Sequence, residues 1–118
     1  MHNRTARLIT VIYPKARIQD IIDFMEIQRK ETEDKGKFFI EESDRQIALM
    51  TYKKSANGVM TIDHTEVNSN FRGEGLGEDL VAAGVKYAQE NNLRILATCP
   101  FAKKVIDDKP EFQDVLAE

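Results

Sequence analysis

Three glycines at alternate positions constrain this chain more than any other feature. Gly73, Gly75 and Gly77 follow the alternating, β-branched run Val59–Val67 and precede apolar residues at helical spacing. Glycine lets the backbone adopt positive φ and approach a ligand closely, and the free N–H groups of a helix's first turn favour an anion. Arg72 adds a positive charge suited to phosphate. The sequence therefore predicts a phosphate or pyrophosphate cradle between a strand and a helix.

Other glycine-rich motifs fit this stretch less well. A Walker loop ends in Gly-Lys-Ser/Thr, whereas Glu78 follows Gly77 here. The dinucleotide fingerprint Gly-x-Gly-x-x-Gly needs a different spacing of its glycines. The structural alternative is a loop that serves only a tight turn. The pattern Arg-x-x-Gly-x-Gly, formed by Arg72, Gly75 and Gly77, favours the cradle over that alternative.

Length and composition exclude several classes of protein. The 118 residues suffice for one domain, and 42% hydrophobic with 31% charged residues is typical of a soluble globular protein. A net charge of −3 gives no sign of a nucleic-acid partner. The single cysteine, Cys99, excludes an internal disulfide and a cysteine-cluster metal site and fits a reducing cytoplasm. No apolar run is long enough for a membrane span.

The first 24 residues differ in composition from the rest, because basic residues outnumber acidic ones there. An organelle-targeting helix is one interpretation, but Pro14 and the strand-like Leu8–Tyr13 argue against it. A second interpretation is a strand or loose segment at Leu8–Tyr13 and a helix at Lys15–Phe24. A third is that Met25 is the natural start. We treat residues 1–24 as an amino-terminal extension and residues 25–118 as the domain.

Residue patterns predict strands before the glycine turn and mixed elements after it. The expected strands are Glu26–Glu31, Lys37–Glu42, Gln46–Lys53, Val59–Val67 and Arg94–Thr98. Turns are expected at Ser43–Arg45 and at Asn57-Gly58, the latter of type I′ with two positive φ angles. The expected helices are Gly75–Glu90, Phe101–Asp107 and Glu111–Leu116. In the strand before the glycines, alternation places Met60, Ile62, His64 and Glu66 on one side and Thr61, Asp63, Thr65 and Val67 on the other. The fold class is α/β (α+β), with a mixed, mostly antiparallel sheet.

This element order and the glycine motif resemble the GNAT superfamily of N-acetyltransferases. The blocks His64–Val67, Phe71–Gly77, Cys99–Val105 and Pro110–Phe112 further resemble its small YjdJ-type branch, over residues 25–116. The resemblance implies a minimal GNAT fold, in which one helix cradles the coenzyme and short helices follow at the carboxyl end. It also implies that the strands before and after the cradle helix splay apart around acyl-CoA.

The resemblance also implies which residues hold the coenzyme. Backbone groups of Thr65, Glu66 and Val67 would pair with the pantetheine arm and direct an N–H at the thioester carbonyl. Cys99 would lie near the coenzyme sulfur. Independently of the resemblance, Lys103 and Lys104 lie close to Cys99 in sequence and could favour its thiolate or bind coenzyme phosphates. The amides that would hold the pyrophosphate are those of Arg72, Gly73, Glu74, Gly75, Leu76 and Gly77.

Three side chains are candidates for the chemistry. His64 and Glu66 could accept the proton of an amine, directly or through water; the structural alternatives are a hydrogen-bonded histidine at a strand bend and an exposed carboxylate. The tyrosine acid common in GNAT enzymes is missing after the last strand, where Cys99 stands instead. Cys99 could be an acyl-accepting nucleophile, an acid to the leaving thiolate, or a small residue lining the pocket.

Two functions follow from these residues. One is an acetyl-CoA-dependent N-acetyltransferase that acts on a small amine or a protein amino group by direct attack on the thioester. The other is a coenzyme A or acyl-CoA-binding module with little or no transferase activity. Either function needs acetyl-CoA but no metal, and neither implies a nucleic-acid or membrane partner. An exposed edge strand near the amino terminus could pair with a copy of itself to form a homodimer.

Overall fold

The protein forms one six-stranded sheet with a long helix packed on one face. The structure is a computed structural model and describes residues 7–12, by their backbone, and residues 26–117. The strands are β1 (Arg7–Ile12), β2 (Glu26–Glu31), β3 (Lys35–Glu42), β4 (Arg45–Lys54), β5 (Val59–Val67) and β6 (Arg94–Ala97). The helices are α1 (Leu76–Glu90), α2 (Pro100–Asp107) and two 3₁₀ segments, Ser69–Phe71 and Pro110–Val115.

The sheet follows the order of the chain, from β1 to β6. Neighbouring strands are antiparallel except for β5 and β6, which are parallel because α1 carries the chain across the sheet between them. The prediction of a mixed, mostly antiparallel sheet with one long helix and short carboxyl-terminal helices is confirmed. The helix expected at Lys15–Phe24 lies outside the described residues.

The core lies between the sheet and α1. Leu80, Val81 and Ala83 of α1 are fully buried, as are Met60 and Ile62 of β5. The apolar residues of α1 recur at helical spacing, so one side of the helix can pack against the sheet.

Gly84 brings α1 close to the sheet. A Cβ atom at this position would lie 2.8 Å from Cε of Met50, so a larger residue would displace the end of that side chain. The helix ends at Asn91 and Asn92, and Asn92 has a positive φ of 57°.

A β-bulge in β5 reverses the side on which its later residues lie. Thr51 of β4 pairs with His64, whereas the next residue, Tyr52, pairs with Ile62, so Asp63 is an extra residue. Ile62 is buried and His64 is exposed. The prediction that Met60, Ile62, His64 and Glu66 share one side is therefore wrong, because simple alternation fails at the inserted residue.

Both predicted turns are confirmed in position, but the type I′ turn predicted at Asn57-Gly58 is wrong. Asn57 does not have a positive φ; Gly58 does, at 84°, in a longer loop closed by the 3.1 Å hydrogen bond from Gly58 N–H to the carbonyl of Ser55. The two consecutive positive φ angles occur instead at Ser43 (55°) and Asp44 (64°), between β3 and β4. The two-residue connection there requires the primed turn, whereas the longer loop needs only one left-handed residue, supplied by glycine.

A polar cluster that the sequence patterns did not predict is enclosed between the sheet and the end of α1. Glu31 Oε1 accepts hydrogen bonds from Arg29 at 2.6 Å, Tyr52 at 2.7 Å and Tyr87 at 3.2 Å. Its other oxygen lies 3.0 Å from Nζ of Lys54. The Arg29 guanidinium stacks over the Tyr87 ring, 4.1 Å from its centroid. Five polar side chains from three elements are thereby satisfied together.

Gly36 makes this cluster possible. It lies between Glu31 of β2 and Tyr52 of β4 in the sheet, where any Cβ atom would collide with the Tyr52 hydroxyl. The missing side chain lets Tyr52 and Glu31 meet across the intervening strand.

The cluster shifts the pKa values of its members. Burial alone would raise the pKa of Glu31, but hydrogen bonds from Tyr52 and Lys54 and the charges of Lys54 and Arg29 outweigh burial and lower it. Burial and the hydrogen bond to Glu31 raise the pKa of Tyr52 well above its ordinary value. Burial opposes the charge of Lys54, but its hydrogen bonds to Tyr87 and Glu31 raise its pKa.

Glu31→Gln is expected to destabilise the protein by about 2 kcal/mol at neutral pH, because it leaves the Arg29 charge buried without its carboxylate. The folded-state pKa of Glu31 is lowered, so its stabilisation is present above its ordinary value of 4.5 and is lost as the pH falls through the folded pKa. The difference between the native protein and the variant should therefore shrink in acid, as measured by urea unfolding at a series of pH values.

Glu33→Gln is the matched control, because Glu33 is exposed in the neighbouring turn. We expect it to change stability by no more than about 0.5 kcal/mol. A gap between native protein and Glu31→Gln that stays constant from neutral pH to about pH 3 would contradict the assigned role of the Glu31 charge.

Candidate functional site

The glycine-rich turn forms a cradle at the start of α1. Gly73 and Gly75 have positive φ angles of 88° and 79°, and Gly75 is the residue that precedes the helix. A Cβ atom at either position would touch nothing within 4 Å, so backbone conformation rather than crowding requires glycine there. The N–H group of Asp79 makes the first hydrogen bond of α1, to the carbonyl of Gly75 at 2.9 Å, which leaves earlier N–H groups available to a ligand.

A cavity of about 790 Å³ opens onto this cradle. It lies between the end of β5, the glycine turn, the first turn of α1 and one aromatic residue of α2. Its volume is in the range of sites for cofactor-sized ligands. The described residues that line it are Thr65, Glu66, Val67, Phe71, Arg72, Gly73, Glu74, Gly75, Leu76, Gly77, Glu78, Asp79 and Phe101.

The charges around the cavity show how it can hold an anion. Of the described lining residues Arg72 is the one cation, whereas Glu66, Glu74, Glu78 and Asp79 are acidic. Arg72 is anchored by a 3.2 Å hydrogen bond from its Nε to the carbonyl of Val67. Because the lining side chains are net acidic, backbone N–H groups and the dipole of α1 must supply most of the attraction for phosphate.

The strands on either side of α1 separate beside this cavity. β5 and β6 pair only from Val59–Arg94 to Ile62–Ala97. Beyond that point the N–H groups of Thr98 and Cys99 both donate to the carbonyl of Ile62, at 3.0 and 3.2 Å. The pairing thus ends where the bulge at Asp63 begins, and a gap opens between the strands.

Cys99 lies at the closed end of this gap, just before α2. Its thiol donates to the Thr65 hydroxyl at 3.5 Å, and only 6% of the residue is exposed. Thr65 lines the large cavity, whereas Cys99 is absent from its described lining. The two residues place one thiol and one hydroxyl between the separated strands.

His64 and Glu66 lie together, as predicted, but on the outer face of the sheet. His64 Nε2 is 2.9 Å from Glu66 Oε1, and their side chains are 55% and 60% exposed. Glu66 also borders the large cavity and His64 does not. The pair is thus accessible to a solute that approaches from the side of the sheet opposite α1.

Lys104 lies away from the cavity in this structure. Its Nζ pairs with Asp108 at 3.0 Å and its side chain is 77% exposed. Lys103 makes the same kind of pair with Asp107 at 3.1 Å. The binding of coenzyme phosphates by Lys104 stays a prediction.

Phe101 is a lining residue that sequence reasoning missed. It is 43% exposed, which is unusual for phenylalanine, and its ring lies over Gly77. A Cβ atom on Gly77 would come within 2.8 and 2.9 Å of that ring. The block Cys99-Pro100-Phe101 was part of the family resemblance, but sequence spacing alone did not place the Phe101 ring against α1.

The described residues contain neither a candidate metal site nor a candidate membrane span. No group of three or more His, Cys, Asp or Glu side chains there could hold a metal ion. No helix in residues 26–117 is long and apolar enough to cross a membrane.

Comparisons with known proteins agree on one family. Residues 37–115 match the model of the GCN5-related N-acetyltransferases. The curated protein NATD1 of Bos taurus is 29% identical over 63 residues, which are 53% of this chain and 56% of that protein. The chain thus spans little more than half the length of the curated relatives that it matches.

Solved structures share the fold. A GCN5-like protein from Staphylococcus aureus is 38% identical, with a TM-score of 0.60 over 75% of this chain and 86% of that one. A Bacillus anthracis protein ascribed to the streptothricin acetyltransferases, solved with acetyl coenzyme A, has a TM-score of 0.50 at 15% identity over 86% of this chain and 72% of its own. This likeness confirms the predicted fold class.

Gly77→Ala is expected to destabilise the protein by about 1 kcal/mol, because the new methyl group displaces the Phe101 ring. The partner variant Phe101→Ala removes the obstacle, so the same glycine change made in that background should cost much less. A double-mutant cycle by urea unfolding measures the difference. Equal costs in both backgrounds would contradict the contact.

Proposed function

Because this chain belongs to the GCN5-related N-acetyltransferase family, we propose that it transfers an acetyl group from acetyl-CoA to an amine by direct attack on the thioester. One observation carries this proposal: a cavity of about 790 Å³ extends from the glycine cradle of α1 to Thr65, Glu66 and Val67, the part of β5 that no longer pairs with β6. An elongated ligand with a phosphate-rich end and a reactive far end fits that arrangement.

In this proposal the chain holds the coenzyme largely through its backbone. The amides from Arg72 to Gly77 hold the pyrophosphate at the positive end of α1. The backbone of Thr65, Glu66 and Val67 follows the pantetheine arm, and one N–H of this segment meets the thioester oxygen as negative charge develops on it. Lys104 would reach a coenzyme phosphate only after leaving Asp108.

Acetyl transfer then requires a neutral amine, a placed carbonyl and a proton for the leaving sulfur. The amine nitrogen forms its bond to the carbonyl carbon, and the carbon–sulfur bond breaks. His64, paired with Glu66, accepts the proton that the amine nitrogen loses, directly or through water. The thiol of Cys99 protonates the departing thiolate and recovers its proton from solvent.

The alternative is an acyl-CoA-binding module with little transferase activity. It is favoured by the exposure of the proton-accepting candidates, since His64 and Glu66 are more than half exposed and His64 is absent from the described cavity lining. Such a module would bind acetyl-CoA through the same cradle and release thiol at the rate of hydrolysis alone.

Several finer assignments belong to the same proposal. We propose membership of the small YjdJ-type branch, on the resemblance of the blocks around His64, Arg72 and Cys99, and propose that residues 1–24 extend a domain at 25–118. We propose a cytoplasmic protein that needs no metal and has no nucleic-acid or membrane partner. A homodimer would form through the outer edge of β1, the terminal strand of the sheet.

Acetyl-CoA binding is the first test, measured by calorimetry on the native chain and on Arg72→Glu combined with Gly75→Val. The double variant should lower affinity by at least about a hundredfold, because it reverses the lining cation and strains the turn at φ 79°. Loss of binding would then justify an acceptor screen that follows thiol release.

The matched control is Arg94→Glu with Gly58→Val, which makes the same two changes at an exposed arginine and at a glycine with φ 84° away from the cradle. This control should lose stability but keep its affinity for acetyl-CoA. Failure of the native chain to bind acetyl-CoA would contradict both proposed functions.

Cys99→Ala tests the proton step. We expect kcat to fall about tenfold or more at saturating acetyl-CoA, with little change in acetyl-CoA affinity, because the proposed role of the thiol is to protonate the leaving sulfur. Cys99→Ser, which keeps a hydroxyl next to Thr65, should retain more activity than the alanine variant. Unchanged transfer in Cys99→Ala would assign Cys99 to the pocket wall instead.

A further inference from the structure

A basic groove crosses the face of the sheet opposite α1. It has a volume of about 360 Å³ and runs over β2, β3, β4 and the bulge of β5. Its charged lining residues are four lysines and two acidic residues: Lys30, Lys35, Lys37, Lys53, Glu31 and Asp63. On a chain whose net charge is −3, this is a concentration of positive charge.

The lysines face one another across the strands. Lys30 is directly opposite Lys37, and Lys35 is directly opposite Lys53. Like charges in such positions destabilise a sheet. The fold therefore keeps these lysine charges close together despite their mutual repulsion. A bound anion would reduce that repulsion.

Within residues 26–117, no carboxylate forms an ion pair with any of the four lysines. Lys37 donates to Gln46 Oε1 at 3.2 Å and lies 4.7 Å from the centroid of the Phe39 ring. Asp63 is engaged by the Thr51 hydroxyl at 2.6 Å. The four lysine charges are thus not neutralised by a carboxylate of the described residues, and they can attract an anionic ligand.

The groove leads to the site of the proposed acetyl transfer. Lys30, Lys37, Thr51 and His64 stand in one row across β2, β3, β4 and β5. The row ends at His64, the residue just after the bulge, beside which β5 and β6 separate. His64 and Glu66 are not among the described residues that line the groove, so a ligand reaches them by continuing along this row past Thr51.

We propose that this groove binds the acceptor and that the acceptor is an acidic peptide, acetylated on its terminal amino group; this rests on the proposed acetyl transfer. Strands lie about 4.8 Å apart, so Lys37 and Lys30 are roughly 10 and 14 Å from His64 along the row. An extended peptide advances about 3.3 Å per residue. With its amino group at His64, its third to fifth residues lie among the lysines.

The same charges disfavour other amines. A polyamine or a lysine-rich tail would bring further positive charge into a groove that already holds four lysines. A small neutral amine would reach His64 without gaining anything from the groove. The groove thus selects for carboxylates about three residues from the reacting amine.

The test compares three peptides that share the amino-terminal sequence Ser-Gly and then carry three acidic residues, their three amides, or three lysines. For the native chain, kcat/KM for acetylation of the acidic peptide should exceed that of the amide peptide by at least about tenfold, with the lysine peptide lowest. The groove variant, Lys30→Glu combined with Lys53→Glu, should abolish this preference. The control variant, Lys86→Glu combined with Arg94→Glu, changes the net charge equally but away from the groove, and it should keep the preference.

Binding without chemistry provides an independent measurement. A fluorescent acidic peptide should bind the native chain and the control variant, but bind Lys30→Glu with Lys53→Glu at least about tenfold more weakly, by anisotropy. Equal kcat/KM for the acidic and amide peptides, or an equal loss of peptide affinity in the groove and control variants, would overturn the groove as the acceptor site. Either result would leave the proposed acetyl transfer standing. Failure of acetyl-CoA to bind in calorimetry would instead overturn the acetyl transfer and, with it, the acceptor.

Discussion

One extra residue in β5 organises the functional half of this molecule. The bulge at Asp63 turns the strand as its pairing with β6 ends, so that Thr65 and Val67 continue on the side of α1 while His64 and Glu66 face outward. Without it, His64 and Glu66 would point into the core beneath α1. The cavity at the glycine cradle and the proposed acceptor groove consequently lie on opposite faces of the sheet, and both border β5 close to the bulge.

The two faces of the sheet would attract their proposed ligands through different interactions. On the side of α1 the lining side chains are net acidic, so attraction for phosphate depends on backbone N–H groups that the positive φ angles of Gly73 and Gly75 direct. On the outer face the attraction comes from lysine side chains in the described part of the groove. Salt screens the charges of exposed lysines, so binding in the groove should weaken as the salt concentration rises.

The polar cluster around Glu31 stabilises the opposite end of the sheet. It ties β2, β4 and the last turns of α1 together through Arg29, Tyr52 and Tyr87, so the helix that carries the cradle is fastened at its far end. Removal of one charge leaves another buried without compensation, which makes such a cluster costly to disturb. The cradle, in contrast, depends on backbone conformation, since Gly73 and Gly75 have positive φ angles.

The sequence by itself determined the order of strands and helices, the glycine turn before α1 and the placement of His64 and Glu66 on one side of β5, because these depend on local φ preferences and on the spacing of residues near one another in the chain. Only the tertiary structure decided the bulge at Asp63, the contact of Phe101 with Gly77 and the cluster around Glu31. It also brought Lys30, Lys35, Lys37 and Lys53 into one groove. Each of these features depends on cross-strand register or helix packing, which is set jointly by residues far apart in sequence.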